Sequence, residues 1–370
     1  MEKLIVVQVY APDIVAMGGH EGFVRKLAMY LARSGFHVIA VHRGRDLRLD
    51  NVVVLGVRSV CISPRICMAL DLRKMVMAIR CADIVHIHSP SNPFAFLALV
   101  IAKILRRPVV STILCYLADA THHRMVMRLL SPLTALLQTL AALLSDAIHV
   151  ENLRDYATLR WIRRLGRVLV LAEPVMNVED DEHSKKLSSS KLVLYIGRID
   201  YAKGAHLLIE AAKYLPKDVK IVIAGAIQDH RYLIKLLDLR KRLGLGDRVL
   251  IIGPVDENAK RRLLEMCSVL VVPSLSDIVE AYSIAATEAW IYGKPVATFP
   301  LGALKYRVIN GANGYLAKKC RDPKALAEAI TNSMKMNCVP KYAPRFDPKK
   351  VLLVLYRVLL AKASRASSKC

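Results

Sequence analysis

Short apolar runs alternate with helical patterns along this sequence, and after a polar segment the alternation begins again. The runs Leu4–Tyr10 and Asp83–His88 are typical of strands buried on both faces, and Glu21–Ser34 carries apolar side chains at helical spacing. Strands that alternate with helices form parallel sheets with right-handed crossovers. We therefore expect an α/β fold with doubly wound, Rossmann-like parallel sheets.

The length of the chain and an internal polar stretch predict two domains. Glu179–Ser190 is polar and charged, and it separates the two halves of the strand–helix pattern. The chain has 370 residues, whereas a single core stops growing at ~250–300 residues. We predict one domain over 1–173 and a second over 174–343, with a helix in 344–370 that packs back on the first. Two such domains facing each other would place their binding loops across a cleft.

The net charge of +24 restricts the partners of the chain. Such a charge favours anions: nucleic acid, an anionic membrane or a phosphorylated substrate. Aromatic residues make up 6% of the sequence and no zinc module is recognisable, so a nucleic-acid partner is not expected. Apolar residues amount to 54%, which excludes a disordered chain.

The eight cysteines show neither Cys-x-x-Cys nor zinc-ligand spacing. We therefore predict free thiols in a reducing cytoplasm, with no metal site. Met1–Tyr10 resembles a strand rather than a signal peptide. The longest apolar run, Leu129–Ser145, contains a proline and a glutamine and is shorter than the ~20 residues of a spanning helix. We interpret it as a buried or amphipathic helix.

Two glycine-containing loops follow predicted strands. Gly18 and Gly19 stand just before the Glu21 helix, where backbone N–H groups can approach a phosphate; a plain turn is the alternative. Arg198 and Lys203 lie in a loop that begins at Gly197 and can point at one diphosphate; a solvated loop is the alternative.

Two acids and two histidines complete the candidate residues. Glu280 and Glu288 lie near one helix N-terminus, where carboxylates can accept hydrogen bonds from sugar hydroxyls or can simply cap the helix. His86 and His88 face the same side of a strand, and His88 ends it. A metal site there lacks a third ligand. We therefore expect either a histidine whose ring nitrogens are hydrogen-bonded within the protein, or one that forms a hydrogen bond to a ligand in the cleft.

Together these residues resemble the retaining, nucleotide-sugar-dependent glycosyltransferases of family four, the group 1 glycosyl transferases. The resemblance runs in order over residues 4–317. The motifs that carry it are Gly18-Gly19-His20-Glu21, Asp83–His88, Gly197-Arg198 with Lys203-Gly204, Glu280-x7-Glu288, Gly293-Lys294-Pro295-Val296 and Gly311-x-x-Gly314. The resemblance implies the GT-B fold of two Rossmann-like domains and transfer of a hexose from a UDP- or GDP-sugar, without a metal or other cofactor.

The resemblance also implies roles for single residues. Arg198 and Lys203 would neutralise the departing diphosphate, Glu288 would hold the ribose, Glu280 would hold the donor sugar, and His88 would lie beside the transferred sugar. His88, Glu280, Arg198 and Lys203 are thus the implied catalytic residues. The implied donor-binding residues are Gly18, Gly19, Gly197, Arg198, Lys203, Glu280, Ala281, Tyr282, Ser283, Ile284 and Glu288.

The sequence departs from the family pattern at a few positions. Leu114 stands where the family often has a histidine, and Ala281 and Ser283 replace glycines of the acidic motif. These departures leave a second hypothesis open, a non-catalytic relative that binds a nucleotide sugar or a polyanion as a partner subunit.

The resemblance further implies a cytoplasmic enzyme whose acceptor is a glycan or a lipid-linked molecule at the inner face of the cell membrane. Two segments combine apolar and basic residues and fit peripheral contact with anionic lipid, Pro64–Arg80 and His122–Leu130. An ordinary core-facing helix is the alternative for both. The basic tail Lys341–Lys369 would be a solvated helix or a polyanion-binding patch.

Overall fold

The computed structural model of the chain forms two compact units: unit 1 consists of Met1–Met176 with Pro344–Cys370, and unit 2 of Asn177–Ala343. The residues that the structure describes are 4–12, 14, 19–63, 66–114, 116, 129, 131–174, 191–277, 280–336, 339–340, 342 and 346–367. Gly18, the linker 179–190 and most of the segment 122–130 therefore lie outside the described residues.

Unit 1 is built on an eight-stranded sheet that is parallel except at one edge. Its strands and those of a hairpin are β1 (Ile5–Tyr10), β2 (His37–Arg43), β3 (Leu47–Leu49), β4 (Val52–Val57), β5 (Ser59–Ser63), β6 (Ile66–Ala69), β7 (Ile84–His88), β8 (Val109–Ile113), β9 (Ala147–Val150) and β10 (Val168–Leu171). The order is β10-β9-β8-β7-β1-β2-β4-β3, and only β3 runs antiparallel to its neighbour. Its helices are α1 (Gly19–Arg33), α2 (Leu72–Arg80), α3 (Pro93–Ile104), α4 (Ser131–Leu144), α5 (Leu153–Thr158) and a 3₁₀ helix over Leu159–Leu165.

Unit 2 is a second sheet with all of its strands parallel. The strands are β11 (Leu192–Ile196), β12 (Lys220–Ala224), β13 (Val249–Gly253), β14 (Val269–Val272), β15 (Val296–Thr298) and β16 (Gly314–Leu316), in the order β13-β12-β11-β14-β15-β16. The helices are α6 (Ala205–Ala211), α7 (His230–Arg242), α8 (Glu257–Met266), α9 (Ile284–Ile291), α10 (Leu304–Arg307) and α11 (Pro323–Met334), with 3₁₀ turns at Tyr201–Lys203 and Ala212–Tyr214. The prediction of two Rossmann-like, doubly wound parallel-sheet domains is thus confirmed.

The central strands are buried on both faces because helices cover both sides of the sheet. Every residue of β7, β8 and β9 is buried. On one face of the sheet Leu27 of α1 packs in a core with Val6, and on the other Phe94 of α3 packs with Val7. α3 begins with a proline after Asn92, whose side chain accepts a hydrogen bond from the N–H of Phe94 and satisfies that free donor.

The last helix, α12 (Pro348–Ser367), belongs to unit 1. Its buried side chains Leu352, Leu355 and Leu359 join the core that α1 forms with the sheet. Tyr356 is also fully buried there, and its hydroxyl lies 2.5 Å from Nδ1 of His86 on β7. The chain therefore returns to its first unit at its end and contributes a polar contact to the middle of the sheet.

A disulfide corrects the prediction that all cysteines are free. β5 and β6 form an antiparallel hairpin in which Cys61 and Cys67 stand directly opposite each other, with their Cα atoms 4.1 Å apart, and they are joined by a disulfide. Cys81, Cys267 and Cys320 are free. Cys-x-x-Cys and metal-ligand spacings do not detect this pair, because a two-stranded hairpin brings together cysteines six positions apart.

The segment Pro64–Arg80, expected to contact lipid or to form a core-facing helix, combines buried and exposed apolar side chains. Its described part contains the strand β6 and the helix α2, and Met75 and Ile79 of α2 are fully buried in the core. Met68, Leu70 and Met77 are exposed. Throughout the described ranges, no helix combines the length and the apolar character that crossing a membrane requires.

Candidate functional site

In unit 2 the predicted donor-binding residues cluster at the carboxyl ends of the strands. The loop that follows β11 begins at Gly197 and ends at Gly204, whose φ is +71° and whose Cβ, if present, would lie 2.0 Å from the carbonyl oxygen of Pro273. A Cβ on Gly225, after β12, would lie 1.7 Å from the carbonyl oxygen of Gly197. Only glycine permits these backbone approaches, so three strand-end loops pack together at one edge of the sheet.

Lys203 and Glu280 form an ion pair inside this cluster. The Lys203 ammonium donates to Oε1 of Glu280 at 2.5 Å, and the Ser274 hydroxyl donates to the same oxygen at 2.6 Å. Glu280 is buried, and its second oxygen, Oε2, has no hydrogen-bond partner among the residues that the structure describes. Burying a carboxylate oxygen without a partner is costly, so this oxygen is suited to accept a hydrogen bond from a ligand hydroxyl.

Arg198 does not join the Lys203–Glu280 pair. Its guanidinium donates to the side-chain oxygen of Gln228 at 3.1 Å and lies 3.5 Å from the Asp200 carboxylate. The Tyr195 hydroxyl donates to the Arg198 carbonyl oxygen at 2.6 Å and holds the backbone of the loop. The Arg198 side chain is 37% exposed, so its guanidinium is accessible to an anion.

Glu288 lies on α9 and is paired with a lysine that the sequence reasoning did not identify. The Lys260 ammonium donates to Glu288 at 2.7 Å and to Glu257 at 3.0 Å. Burial opposes the charge on Lys260, but the Glu288 and Glu257 carboxylates outweigh it and raise the pKa of the ammonium. Lys260 therefore stays charged and holds the Glu288 carboxylate in place.

Ser283 keeps a backbone conformation that favours glycine. It precedes α9 with φ +69°, and its buried hydroxyl has no partner within the described ranges. The Arg307 guanidinium secures this loop, since it donates to the Tyr282 carbonyl oxygen at 2.5 Å and stacks on the Tyr282 ring at 3.9 Å. The loop thus retains a shape suited to glycine although the glycine itself is replaced.

Ala281 and Ile284 flank the same turn, and Ile284 is the first residue of α9. The backbone at Glu280 is held from the other side, because the Ala303 N–H donates to the Glu280 carbonyl oxygen at 2.8 Å and Gly302 packs directly against it. The acidic loop is therefore fixed by neighbouring backbone as well as by Arg307.

In unit 1, His88 lies in a group of buried aromatic side chains. The His88 ring stacks on the His86 ring with a centroid distance of 4.1 Å, and it lies edge-on to Tyr10 and His20. Both His88 ring nitrogens are buried and lack hydrogen-bond partners in the described part of the chain. Burial, reinforced by the neighbouring histidines, holds the pKa of His88 well below its ordinary value, so the ring is neutral near pH 7.

A chain of hydrogen bonds connects His86 to three other elements. His86 Nε2 lies 2.7 Å from the Thr112 hydroxyl, which lies 2.9 Å from Nδ1 of His149. His149 Nε2 in turn lies 3.1 Å from the Ala172 carbonyl oxygen. These contacts tie β7, β8 and β9 together, and the Tyr356 hydroxyl continues the chain into α12.

His20, in the first turn of α1, has a raised pKa, unlike His86, His88 and His149. Burial by itself would lower it, but the Glu151 carboxylate, 3.2 Å away, and Glu21 outweigh that effect. Gly19 is exposed and is the first residue of the same helix. Leu114, where the family often has a histidine, is half-buried just after β8.

Several side chains that shape these two regions were not identified from the sequence, namely Ser274, Lys260, Arg307, His149 and Glu151, and His20 was named only as part of a motif, without a role. Ser274 and Glu151 each follow a strand at the carboxyl edge, and this position could have identified them. The described residues contain no group of three His, Cys, Asp or Glu side chains placed to hold a metal ion.

Comparison with known protein families gives two matches that follow each other along the chain. Residues 17–150 match the model described as Glycosyltransferase Family 4, and residues 177–348 match the model described as Glycosyl transferases group 1. Together the two matches span most of both units.

Three known proteins illustrate the similarity. D-inositol 3-phosphate glycosyltransferase of Xylanimonas cellulosilytica is 31% identical over 142 residues, which are 38% of this chain and 33% of that protein. The matched region thus spans about a third of that relative's length. D-rhamnosyltransferase WbpZ of Pseudomonas aeruginosa is 26% identical over 86% of this chain and 74% of its own length. The crystal structure of HepE from Anabaena in complex with UDP-glucose superposes with a TM-score of 0.67 at 15% identity, covering 99% of this chain and 100% of HepE.

Proposed function

Since the chain belongs to the family 4, group 1 glycosyltransferases, we propose that it transfers a hexose from a nucleoside-diphosphate donor to an acceptor hydroxyl, with retention of configuration and without a metal. UDP- and GDP-sugars are the donors of choice. HepE, which shares the fold, was crystallised with UDP-glucose. Retention requires that the acceptor oxygen bonds to the anomeric carbon on the face from which the diphosphate leaves.

The observation that carries this proposal is the hydrogen bonding of the two carboxylate oxygens of Glu280. One carboxylate oxygen is held by Lys203 and Ser274, and the other is buried without a partner in the described ranges. A sugar hydroxyl of the donor would satisfy the second oxygen. The first oxygen keeps the Lys203 ammonium in the same place, so one residue would connect sugar recognition to charge compensation.

Arg198 and Lys203 are proposed to compensate the charge that develops on the departing diphosphate. The Arg198 guanidinium is accessible and provides forked donors, and Lys203 provides a compact positive charge. Preorganised cations favour the transition state over the ground state, because the leaving group gains negative charge as its bond breaks. Glu288, held by Lys260, is proposed to accept hydrogen bonds from the ribose hydroxyls.

In unit 1, His88 is proposed to form a hydrogen bond with a sugar hydroxyl. The ring is neutral, so each nitrogen has a defined role: one donates and the other accepts. Gly19 begins α1, and the N–H groups of this first turn are proposed to meet a phosphate of the donor.

The test is a panel of UDP-, GDP- and ADP-sugars, scored for binding by thermal shift and for turnover by release of the nucleoside diphosphate. We expect one donor to shift the melting temperature and to be turned over, and Lys203→Ala to abolish turnover. Lys217→Ala removes an exposed lysine of the same unit and serves as the matched control. Absence of turnover with every donor, with binding retained, would favour the non-catalytic partner subunit instead.

A lipid-linked acceptor at a membrane surface is the finer part of the proposal. It is supported by the β5–β6 hairpin, which exposes the cross-strand pair Val60 and Met68 and the neighbouring Leu70, and by the net charge of +24. Flotation with phosphatidylglycerol vesicles tests it. Val60→Ser with Met68→Ser should reduce vesicle binding, whereas Leu250→Ser, at an equally exposed position of unit 2, should not. Equal flotation of all variants would contradict this surface.

A further inference from the structure

We propose that unit 1 binds a phosphate-bearing anion in a basic pocket far from its histidines, at the amino ends of its strands. This basal pocket has a volume of about 470 Å³, within the ~300–1,000 Å³ of small-molecule sites. Among the described residues, its charged lining consists of five cations and one acid: Lys103, Arg106, Arg107, Arg167, Lys362 and Asp146.

The position of the basal pocket separates it from the candidate active-site residues. Arg107, Asp146 and Arg167 stand just before β8, β9 and β10, respectively. Because these strands are parallel, their amino ends form one edge of the sheet and their carboxyl ends form the opposite edge. His88 and Glu151 lie at the carboxyl ends, the edge at which parallel α/β sheets usually bind their ligands.

Most of the positive charge in the basal pocket is not neutralised by the protein. Asp146 is fully engaged: it accepts from the Lys103 ammonium at 3.0 and 3.1 Å and from the Val109 N–H at 2.8 Å, and it lies 3.7 Å from Arg167. Arg106 and Lys362 are exposed and have no side-chain partner among the described residues.

The two remaining arginines offer donors that the protein leaves free. Arg107 donates from one terminal nitrogen to the Arg80 carbonyl oxygen at 2.5 Å. The Nε atoms of Arg107 and Arg167 are buried without a hydrogen-bond partner in the part of the chain that is described. Cations gathered around one cavity repel each other, and a bound anion would relieve that repulsion.

The lining points to phosphate rather than to a carboxylate or a single halide. Guanidinium groups match the oxygens of a phosphate with forked hydrogen bonds, and lysine adds a mobile charge. Five cations against one acid leave a formal excess of four positive charges, which suits an anion with two phosphate groups. Such a group can come from a free diphosphate or from a lipid headgroup at a membrane surface, and both present the same chemistry to the pocket.

Calorimetric titration of the full chain with pyrophosphate at low salt tests the proposal. The double variant Arg106→Gln/Lys362→Gln removes two exposed charges from the pocket, and Arg48→Gln/Arg58→Gln removes two exposed charges elsewhere in unit 1. We expect the first pair to weaken binding by about tenfold or more, since charged hydrogen bonds to phosphate are lost. The control pair should stay within about twofold of the unchanged protein, because distant exposed charges are screened.

The outcome separates this pocket from the diphosphate-binding residues proposed in unit 2. Lys203→Ala should leave the effect of Arg106→Gln/Lys362→Gln intact, whatever becomes of transferase activity. Flotation with phosphatidylglycerol vesicles identifies the source: loss of flotation in the same double variant, with competition by pyrophosphate, assigns a headgroup, and pyrophosphate binding without flotation assigns a free anion. Equal weakening by both double variants, or no binding of either probe, would overturn the proposal.

Discussion

The polar groups at the carboxyl ends of the two sheets differ in charge. In unit 2 they are paired ions, such as Lys203 with Glu280. In unit 1 most of them are neutral imidazoles, since burial lowers the pKa values of His86, His88 and His149, and the charged pair there is His20 with Glu151. Paired ions can exchange partners with a charged ligand, whereas neutral imidazoles suit hydroxyl groups. This difference supports assigning charge compensation of the departing diphosphate to the cations of unit 2, and a sugar hydroxyl to His88.

The largest expected effect concerns the ion pair of unit 2. Glu280→Gln keeps the shape of the side chain but removes the charge that holds Lys203, and it changes the oxygen proposed to bind the sugar. We expect kcat/KM for the preferred donor to fall about 100-fold or more, close to 2.7 kcal/mol, as for the loss of one preorganised catalytic contact.

Steady-state kinetics with the donor identified in the panel would measure this fall. Glu328→Gln, at an exposed position on α11, removes an equal charge from unit 2 and should leave kcat/KM unchanged. Activity within a few-fold of the unchanged enzyme in Glu280→Gln would contradict the role given to this carboxylate.

The second prediction concerns the neutral histidines of unit 1. Their folded-state pKa values are lowered, so the unfolded chain binds more protons below about pH 6.5 and the free energy of unfolding falls as the pH drops through that range. His20 acts in the opposite direction, because its raised pKa gives stability that is lost as the pH rises above about 6.5. His88→Leu removes one group that binds a proton only in the unfolded chain. The free energy of unfolding should then fall less steeply as the pH drops, by up to about 1.4 kcal/mol per pH unit.

Hydrogen exchange of the β7 and β8 amides between pH 5 and pH 7 would report this slope for unit 1 alone. His37→Gln, at an exposed position on β2, is the control and should preserve the slope. An unchanged slope in His88→Leu would mean that the His88 ring takes up a proton within the folded unit.

The same contrast explains what the sequence could and could not predict. In unit 2 most of the candidate residues lie in loops that follow strands of continuous apolar sequence, so their positions at one sheet edge follow from the pattern. Lys260 could not be found in this way, because it lies on a helix and meets Glu288 only through packing. In unit 1 the strand positions of His86 and His149 are separated by most of two strand–helix repeats, and only the finished sheet brings them together.

Local structure at the edges of the fold was also beyond the sequence pattern. β5 and β6 form a hairpin that pairs two cysteines. The left-handed backbone at Ser283 was not predicted either, because a serine in the sequence does not indicate a positive φ. The two-domain fold depends on many residues and was predicted, whereas these features depend on single contacts.

Ser283 is a strained residue beside the ion-paired site of unit 2, with φ +69°. Ser283→Gly relieves a positive φ and removes a buried hydroxyl without a described partner. We expect the free energy of unfolding of unit 2 to rise by about 1 kcal/mol. Ser283→Ala retains the strained backbone, so its free energy of unfolding should rise much less. Chemical denaturation of both variants would separate the two effects, and equal stabilisation would assign the gain to the hydroxyl rather than to the backbone.

The smallest expected effect concerns Lys260, which holds Glu288 from outside the donor-binding loops. Lys260→Met keeps the length and burial of the side chain but leaves the Glu288 carboxylate, 21% exposed, without its ammonium. We expect the KM for the donor to rise about threefold, equivalent to roughly 0.7 kcal/mol, with kcat preserved, because a ribose contact would be loosened equally in the ground and transition states. Glu257→Gln removes only the outer, more exposed partner of the same lysine and should change KM less. If kcat fell instead of KM rising, Lys260 would act on the reacting end of the donor, and the division between ribose and diphosphate residues within unit 2 would have to be redrawn.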